Sequence, residues 1–248
     1  IESIIDMEKL ESLKVNELIL CEDYDLRELK FEKFYENINF SNFSLMTKLS
    51  ISRCCIGNLI ESNPAMFSNM KNLKELEFSH VPNMRSLDSN LFFSLISLEK
   101  LEIKNTSINL IKGNSFKNLS KLKYLTINSH ISLKLEPNAF NGLKSLEKLI
   151  LYKNQLNEIS HEVFNGLENL INLQLNQSEI KKIGENSFKN LINLESFSFS
   201  FCSKQQNNHF NRLLIDLKNL VIYVDSLLFI NYDIFSHKNS SIKKLELY

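Results

Sequence analysis

A 24-residue period in the middle of the chain constrains the fold more than any other feature of the sequence. Phe116, Phe140, Phe164 and Phe188 each open the same series of apolar positions. From Phe140 to Ile159 the series reads FxxLxxLxxLxLxxNxLxxI. A unit this short cannot bury its apolar edge alone, so neighbouring units must stack into a solenoid with one continuous core.

Each unit contains a short run in which buried and exposed positions alternate, as in a β-strand with one face in the core. In one such run Leu149 and Leu151 point inward, while Lys148, Ile150 and Tyr152 point outward. The first inward positions of the successive strands are Leu18, Leu49, Leu76, Leu101, Leu125, Leu149, Leu173, Phe197, Leu220 and Leu245. The sequence therefore predicts an α/β solenoid, a curved horseshoe with a concave parallel β-sheet of about ten short strands and an irregular or short-helical convex side.

The repeat pattern resembles the typical-class leucine-rich repeats of animal extracellular proteins. This class includes Toll-like receptor ectodomains and secreted insect immune, salivary and venom proteins, and the resemblance covers residues 40 to 248. It implies a non-catalytic protein-binding module that is secreted and acts in innate immunity or host interaction, as an effector, decoy or recognition factor. The same repeat serves many functions, so two alternatives stay open: a fragment of a cell-surface receptor ectodomain, or an intracellular adaptor.

Two buried ladders are expected from the repeat register. Phenylalanines should stack along the convex side as a spine: Phe67, Phe92, Phe116, Phe140, Phe164, Phe188, Phe210 and Phe235. In many leucine-rich repeats an Asn after the strand bonds the backbone of the turn. That place is held here by Asp23, Cys54, Val81, Thr106, His130, Asn154, Ser178, Cys202 and Asp225. Most of these side chains can pair a buried amide, as such a turn requires.

The repeats predict a single domain over residues 1–248. Residues 1–40 form an irregular N-terminal repeat and cap, and residues 41–248 form repeats that end without a recognisable C-terminal cap. The first residue, Ile1, is not Met, which predicts a processed or trimmed chain. Because an unpaired terminal repeat usually needs a polar cap, the end at Tyr248 predicts a longer parent chain or a homodimer formed through this end.

Charge and residue spacing favour neither nucleic-acid binding nor catalysis. The 29 Lys and Arg balance 29 Asp and Glu, so no long-range field attracts nucleic acid or an anionic membrane. The four cysteines lack zinc spacing, the five histidines have no recurrent catalytic spacing, and no glycine loop suits phosphate. We therefore expect no enzyme, no cofactor, no metal and no membrane segment, and a protein partner such as a host or immune receptor or signalling protein.

The outward positions of the concave sheet are the candidate binding site, since interfaces combine aromatic and charged residues. The candidate residues are Glu77, Glu102, Lys104, Tyr124, Lys148, Tyr152, Lys153, Phe201 and Tyr223. The alternative interpretation is an ordinary solvated sheet. Candidate glycosylation acceptors, if the protein is secreted, are Asn39, Asn42, Asn105, Asn118, Asn176 and Asn239. A cytoplasmic protein would instead keep free thiols and unmodified Asn residues.

Overall fold

The computed structural model describes residues 17–20, 44–53, 57–175, 178–184, 186–199, 220–224 and 242–247. In chain order the elements are β1 (Glu17–Leu20), β2 (Lys48–Ser52), helix α1 (Gly57–Ser62), a 3-10 turn (Pro64–Phe67), β3 (Glu75–Ser79), β4 (Ser86–Leu87), β5 (Lys100–Lys104), β6 (Leu110–Ile111), β7 (Tyr124–Asn128), β8 (Ser132–Leu135), β9 (Lys148–Leu151), β10 (Gln155–Ile159), β11 (Asn172–Leu175), β12 (Glu179–Ile183), β13 (Ser196–Phe199), β14 (Leu220–Val224) and β15 (Ile242–Leu247).

Ten of these strands form one parallel sheet, in the order β1-β2-β3-β5-β7-β9-β11-β13-β14-β15. The predicted ten-stranded sheet is therefore confirmed. The register matches the repeat pattern, because Leu101 pairs with Leu125 and Leu125 with Leu149. Strands built from alternating leucines keep one face of this sheet in the core.

One predicted register position is wrong. Phe197 pairs with Ile222, not with Leu220. The two residues lie two apart on β14, so both fall on the same side of the strand and periodicity alone cannot choose between them. The pairing of β14 with β15 shifts between Leu220 and Val221, which places Leu220 outside the regular register.

A second parallel sheet, of five strands in the order β12-β10-β8-β6-β4, runs beside the first. Each of its strands follows the turn after a concave strand, and the shortest, β4 and β6, have only two residues each. The repeat pattern did not predict this sheet, because runs of two to five residues carry little periodicity. It fixes the path of the chain after β3, β5, β7, β9 and β11.

The predicted phenylalanine spine is confirmed over the described residues. Phe92, Phe116, Phe140, Phe164 and Phe188 stack in sequence with ring centroids 5.5 to 6.0 Å apart. All five are at most 2% exposed. The predicted spine members Phe210 and Phe235 lie outside the described residues, while Phe67 is buried against Phe78 with centroids 6.1 Å apart.

Asparagine amides form a further ladder near the spine, which the sequence pattern did not reveal. Asn165 Nδ2 donates to Asn138 Oδ1 at 2.9 Å, and Asn190 Nδ2 donates to Asn165 Oδ1 at 2.6 Å. A parallel bond joins Asn141 Nδ2 to Asn114 Oδ1 at 2.7 Å. These bonds link each repeat to the next one, so they resist sliding of one repeat against another.

Candidate interaction surface on the concave sheet

The turns after β7, β9 and β11 are joined by hydrogen bonds of buried polar side chains. Asn154 is 0% exposed and accepts from Ser129 N at 3.1 Å and from Ser129 Oγ at 2.8 Å. Its Nδ2 donates to the Ile127 carbonyl at 2.9 Å. Ser178 Oγ continues the ladder by donating to the Leu151 carbonyl at 2.6 Å and accepting from Asn154 N at 3.3 Å.

The predicted ladder is confirmed at Asn154 and Ser178 and is wrong at His130. Ser129 takes the buried place at 3% exposure, and His130 is exposed with φ 58°. In the turn after β7, the buried polar residue Ser129 comes before His130, the residue with positive φ. In the turn after β5 the order is reversed, because Asn105 has the positive φ and the buried Thr106 follows it. Thr106 Oγ1 is buried with no hydrogen-bond partner. Asp23, Cys54, Cys202 and Asp225 lie outside the described residues.

Charged residues on β3 and β5 form a paired network on the concave face. Lys104 Nζ lies 3.2 Å from Glu102 Oε1 and 3.4 Å from Glu77 Oε1, and Lys100 Nζ lies 3.0 Å from Glu102 Oε2. Burial alone would raise the pKa of the Glu102 carboxyl, but the hydrogen bonds and charges of Lys100 and Lys104 outweigh it and lower that pKa. Burial alone would lower the pKa of Lys104, but the hydrogen bonds and charges of Glu102 and Glu77 outweigh it and raise that pKa. These charges therefore largely neutralise one another.

An aromatic and aliphatic patch follows this network on the next strands. Tyr124, on β7, is 45% exposed and lies beside Lys148 of β9. Ile150 of β9 and Tyr152, which immediately follows β9, are half-buried on the same face. Lys153 Nζ lies 5.1 Å from the centre of the Tyr152 ring, within the range of a cation–π contact. The structure thus brings Tyr124, Lys148, Ile150 and Tyr152 together on β7, on β9 and immediately after β9.

The other predicted site residues are less fully described. Tyr223 lies on β14, where it pairs in register with Ser198 of β13. Phe201 lies outside the described residues. Lys153 belongs to the turn after β9, at the edge of the sheet rather than on its face.

The edge at which the concave strands end carries a row of residues that the sequence pattern did not single out. We call this row the carboxyl lip, and its five members occupy consecutive turns with φ between 52° and 58°: Arg53, His80, Asn105, His130 and Lys153. His and Asn tolerate this left-handed conformation better than most residues. The spacing of 25 residues between His80, Asn105 and His130 is the signal in the sequence that marks this row.

Three members of the carboxyl lip form a hydrogen-bonded chain across three repeats. Asn105 Nδ2 donates to His80 Nε2 at 2.9 Å, and His130 Nε2 lies 2.6 Å from Asn105 Oδ1. Ser79 Oγ lies 3.0 Å from His80 Nδ1. All three lip side chains reach solvent to some extent, so this chain lies at the surface beside the concave face.

Two of the candidate glycosylation acceptors lie in described parts of the chain. Asn118 Nδ2 donates to the Phe93 carbonyl at 2.9 Å, and Asn105 Nδ2 bonds His80 in the carboxyl lip. A glycan would attach to these nitrogen atoms and, at Asn105, would stand beside the concave face. The acceptors Asn39, Asn42, Asn176 and Asn239 lie outside the described residues.

Neither metal ligation nor membrane crossing finds support in the described part of the chain. Within it, His, Cys, Asp and Glu nowhere gather in a group of three or more that could hold a metal ion. Its helices are also too short or too polar to cross a membrane.

Comparison with known proteins identifies the repeat type. The sequence profile of the BspA type leucine rich repeat region matches residues 27–135 and 111–243. Among curated proteins, none matches the sequence. Two solved structures share the fold: TLR13 in complex with ssRNA13, with 17% identity and a TM-score of 0.50, and Drosophila Toll in complex with Spatzle, with 16% identity and a TM-score of 0.59. Each match covers 94% of this chain but only 40% and 36% of those chains, respectively.

Proposed function

The chain belongs to the BspA-type leucine-rich repeat family, and on that premise we propose that it is a protein-binding module whose concave sheet holds the partner. The patch of Tyr124, Ile150 and Tyr152 carries the proposal. Exposed aromatic side chains on a rigid backbone bury a large area on binding and lose little conformational freedom. Parallel strands and the buried Asn154 ladder supply that rigid backbone.

The paired charges beside this patch suit a protein partner better than a polyanion. Glu77 and Glu102 are held within 3.4 Å of Lys104, so this half of the face has little net charge to offer. The whole chain carries a formal net charge of zero. TLR13 and Toll were solved with an RNA and with Spatzle, respectively, so similarity of fold alone does not select the class of ligand.

We further propose that the protein is secreted and acts in innate immunity or host interaction. The Toll complex is a hub in Drosophila development and innate immunity, and Toll shares this fold. Six Asn-x-Ser/Thr triplets would accept glycans in the secretory pathway. The intact mass of protein from its native source, before and after deglycosylation, tests this part: attached sugar supports secretion, and an unmodified chain with four free thiols supports the intracellular adaptor instead.

Binding to the concave face is tested with an aromatic double variant. Wild-type protein, Tyr124→Ala/Tyr152→Ala and the control Phe93→Ala serve as bait in extracellular fluid from the native source. Phe93 is 57% exposed and lies in a different part of the repeat, so its loss removes a comparable aromatic side chain. A partner retained by wild type and by Phe93→Ala, and weakened by about 2 kcal/mol or more in the double variant, supports the proposal. Equal retention by all three proteins would move the site away from these tyrosines.

A further inference from the structure

The two edges of the concave sheet differ in charge pattern. At the edge where the strands begin, Lys74, Glu99, Lys123 and Glu147 alternate in consecutive repeats, and Lys123 Nζ lies 4.0 Å from Glu99 Oε2. We call this the amino lip. Each lysine there has an acidic neighbour about one repeat away. By contrast, the five positions of the carboxyl lip hold cationic or titratable basic side chains and one amide, and none of them is acidic.

We propose that the carboxyl lip binds carboxylates of an acidic segment in a partner protein, and that protonation of His80 and His130 strengthens this binding. The inference rests on the proposed function, because it takes the partner to be a protein. It adds a second contact region beside the tyrosine patch and assigns that region a ligand chemistry.

The hydrogen-bonded chain shows how protonation exposes donors. When both imidazoles are neutral, His80 Nε2 accepts from Asn105 Nδ2, so the His80 proton sits on Nδ1, facing Ser79 Oγ. His130 can gain a proton on Nδ1 and keep its bond to Asn105. A proton on His80 Nε2 instead ends the bond from Asn105. Two donors, His80 Nε2–H and Asn105 Nδ2–H, then stand side by side, and one carboxylate can accept from both.

Charged residues on the neighbouring elements set the surroundings of this chain. On the concave strands, Glu77, Glu102 and Lys104 already pair with one another. Near the second sheet, exposed Arg85 precedes β4, exposed Lys134 lies on β8, and Glu61 Oε1 accepts from Ser86 N at 2.8 Å. Arg53 and Lys153 stand at the two ends of the lip. The lip is thus surrounded by charges of both signs. Protonation of the two imidazoles would make the lip itself more positive.

Spacing and neighbouring charge favour an acidic protein segment over a nucleic acid. His80 and His130 are two repeats apart, or about 10 Å along the sheet. Carboxylates on the same side of an extended segment are about 7 Å apart before side-chain flexibility is added, so two of them can reach both imidazoles. A polyphosphate chain would carry a charge at every unit along the adjoining face. The paired Glu77, Glu102 and Lys104 leave that face with little net positive charge to hold those further phosphates.

The test measures binding of a fluorescent octaglutamate peptide to the full chain at pH 7.5 and pH 5.5, at constant ionic strength. Imidazoles gain their charge in this range. Each exposed ion pair strengthens binding by a factor of about two to five, so roughly tenfold tighter binding is expected at pH 5.5. The variant His80→Asn/His130→Asn keeps residues that accept the left-handed conformation and removes both imidazoles. Lys74→Asn/Lys123→Asn, on the amino lip, is the matched control.

Each outcome has a defined meaning. The proposal stands if the gain at low pH appears in wild type and in the amino-lip control and falls below twofold in the histidine variant. Absence of octaglutamate binding, or an equal gain in the histidine variant, would overturn it. Tighter binding of the oligonucleotide dT8 with the same dependence on the histidines would replace the acidic segment with a polyphosphate. Tyr124→Ala/Tyr152→Ala should still bind octaglutamate, so failure of the tyrosine proposal is distinguishable from failure at the lip.

Discussion

Replacement of Asn154 by Ala should open the buried turn between the fifth and sixth repeats. The side chain is 0% exposed and makes three bonds, two accepted from Ser129 N and Oγ and one donated to the Ile127 carbonyl. Ser129 Oγ can rotate toward another acceptor. The Ile127 carbonyl keeps its bond from Tyr152 N at 3.2 Å. The Ser129 N–H cannot turn to another acceptor, because it belongs to the fixed backbone of the turn.

The expected cost follows from the one backbone donor that loses its partner. A buried donor or acceptor left without a partner costs about 1 to 3 kcal/mol, so the free energy of unfolding should fall by about 2 kcal/mol. For a chain of this size, each kcal/mol shifts the melting temperature by about 2 to 4 °C, so Asn154→Ala should melt roughly 6 °C below wild type.

Urea denaturation and amide hydrogen exchange together measure this effect. Asn109→Ala is the control, because Asn109 is exposed and its substitution should change stability by less than about 0.5 kcal/mol. Since each repeat of a solenoid contacts mainly its neighbours, protection of the Ser129 amide should fall more than that of the Leu101 amide, which lies on β5, two strands from the β9 that Asn154 follows. A loss below about 1 kcal/mol, or equal loss of protection at both amides, would refute the assignment of the ladder as a local support.

Two other substitutions should change the stability in a predictable direction. Thr106→Val should raise the free energy of unfolding by about 1 kcal/mol in urea denaturation, because Thr106 Oγ1 is buried without a partner; clear destabilisation would reveal an undetected hydrogen bond. The pKa of Glu102 is lowered from 4.5, so its stabilising effect is present above pH 4.5 and disappears as pH falls through the lower folded value. Melting curves of wild type and Glu102→Gln should therefore differ at pH 7 and approach each other as pH falls below 4.5; a constant difference would contradict the paired state.

The candidate site was predictable where it depends on strand alternation. Tyr124, Lys148 and Tyr152 were assigned outward from the leucines that flank them, and the structure places them together on β7 and at β9. The carboxyl lip was not predictable in this way. Its residues are polar and follow the strands, in turns whose lengths vary. The shift from His130 to Ser129 in the buried place shows how one residue changes which side chain reaches solvent.

The sequence by itself determined the stacking of repeats, the inward face of each concave strand and the phenylalanine spine. The spacing of apolar residues is a local property that recurs in every repeat, so a single irregularity such as Phe197 does not obscure it. Only the tertiary structure decided which polar groups meet across repeats. The bonds of His80 with Asn105 and of Lys104 with Glu77 join residues about one repeat apart, and each depends on the turn lengths and side-chain directions of both repeats. Polar contacts need geometry within a few tenths of an ångström, whereas apolar burial needs only the correct face.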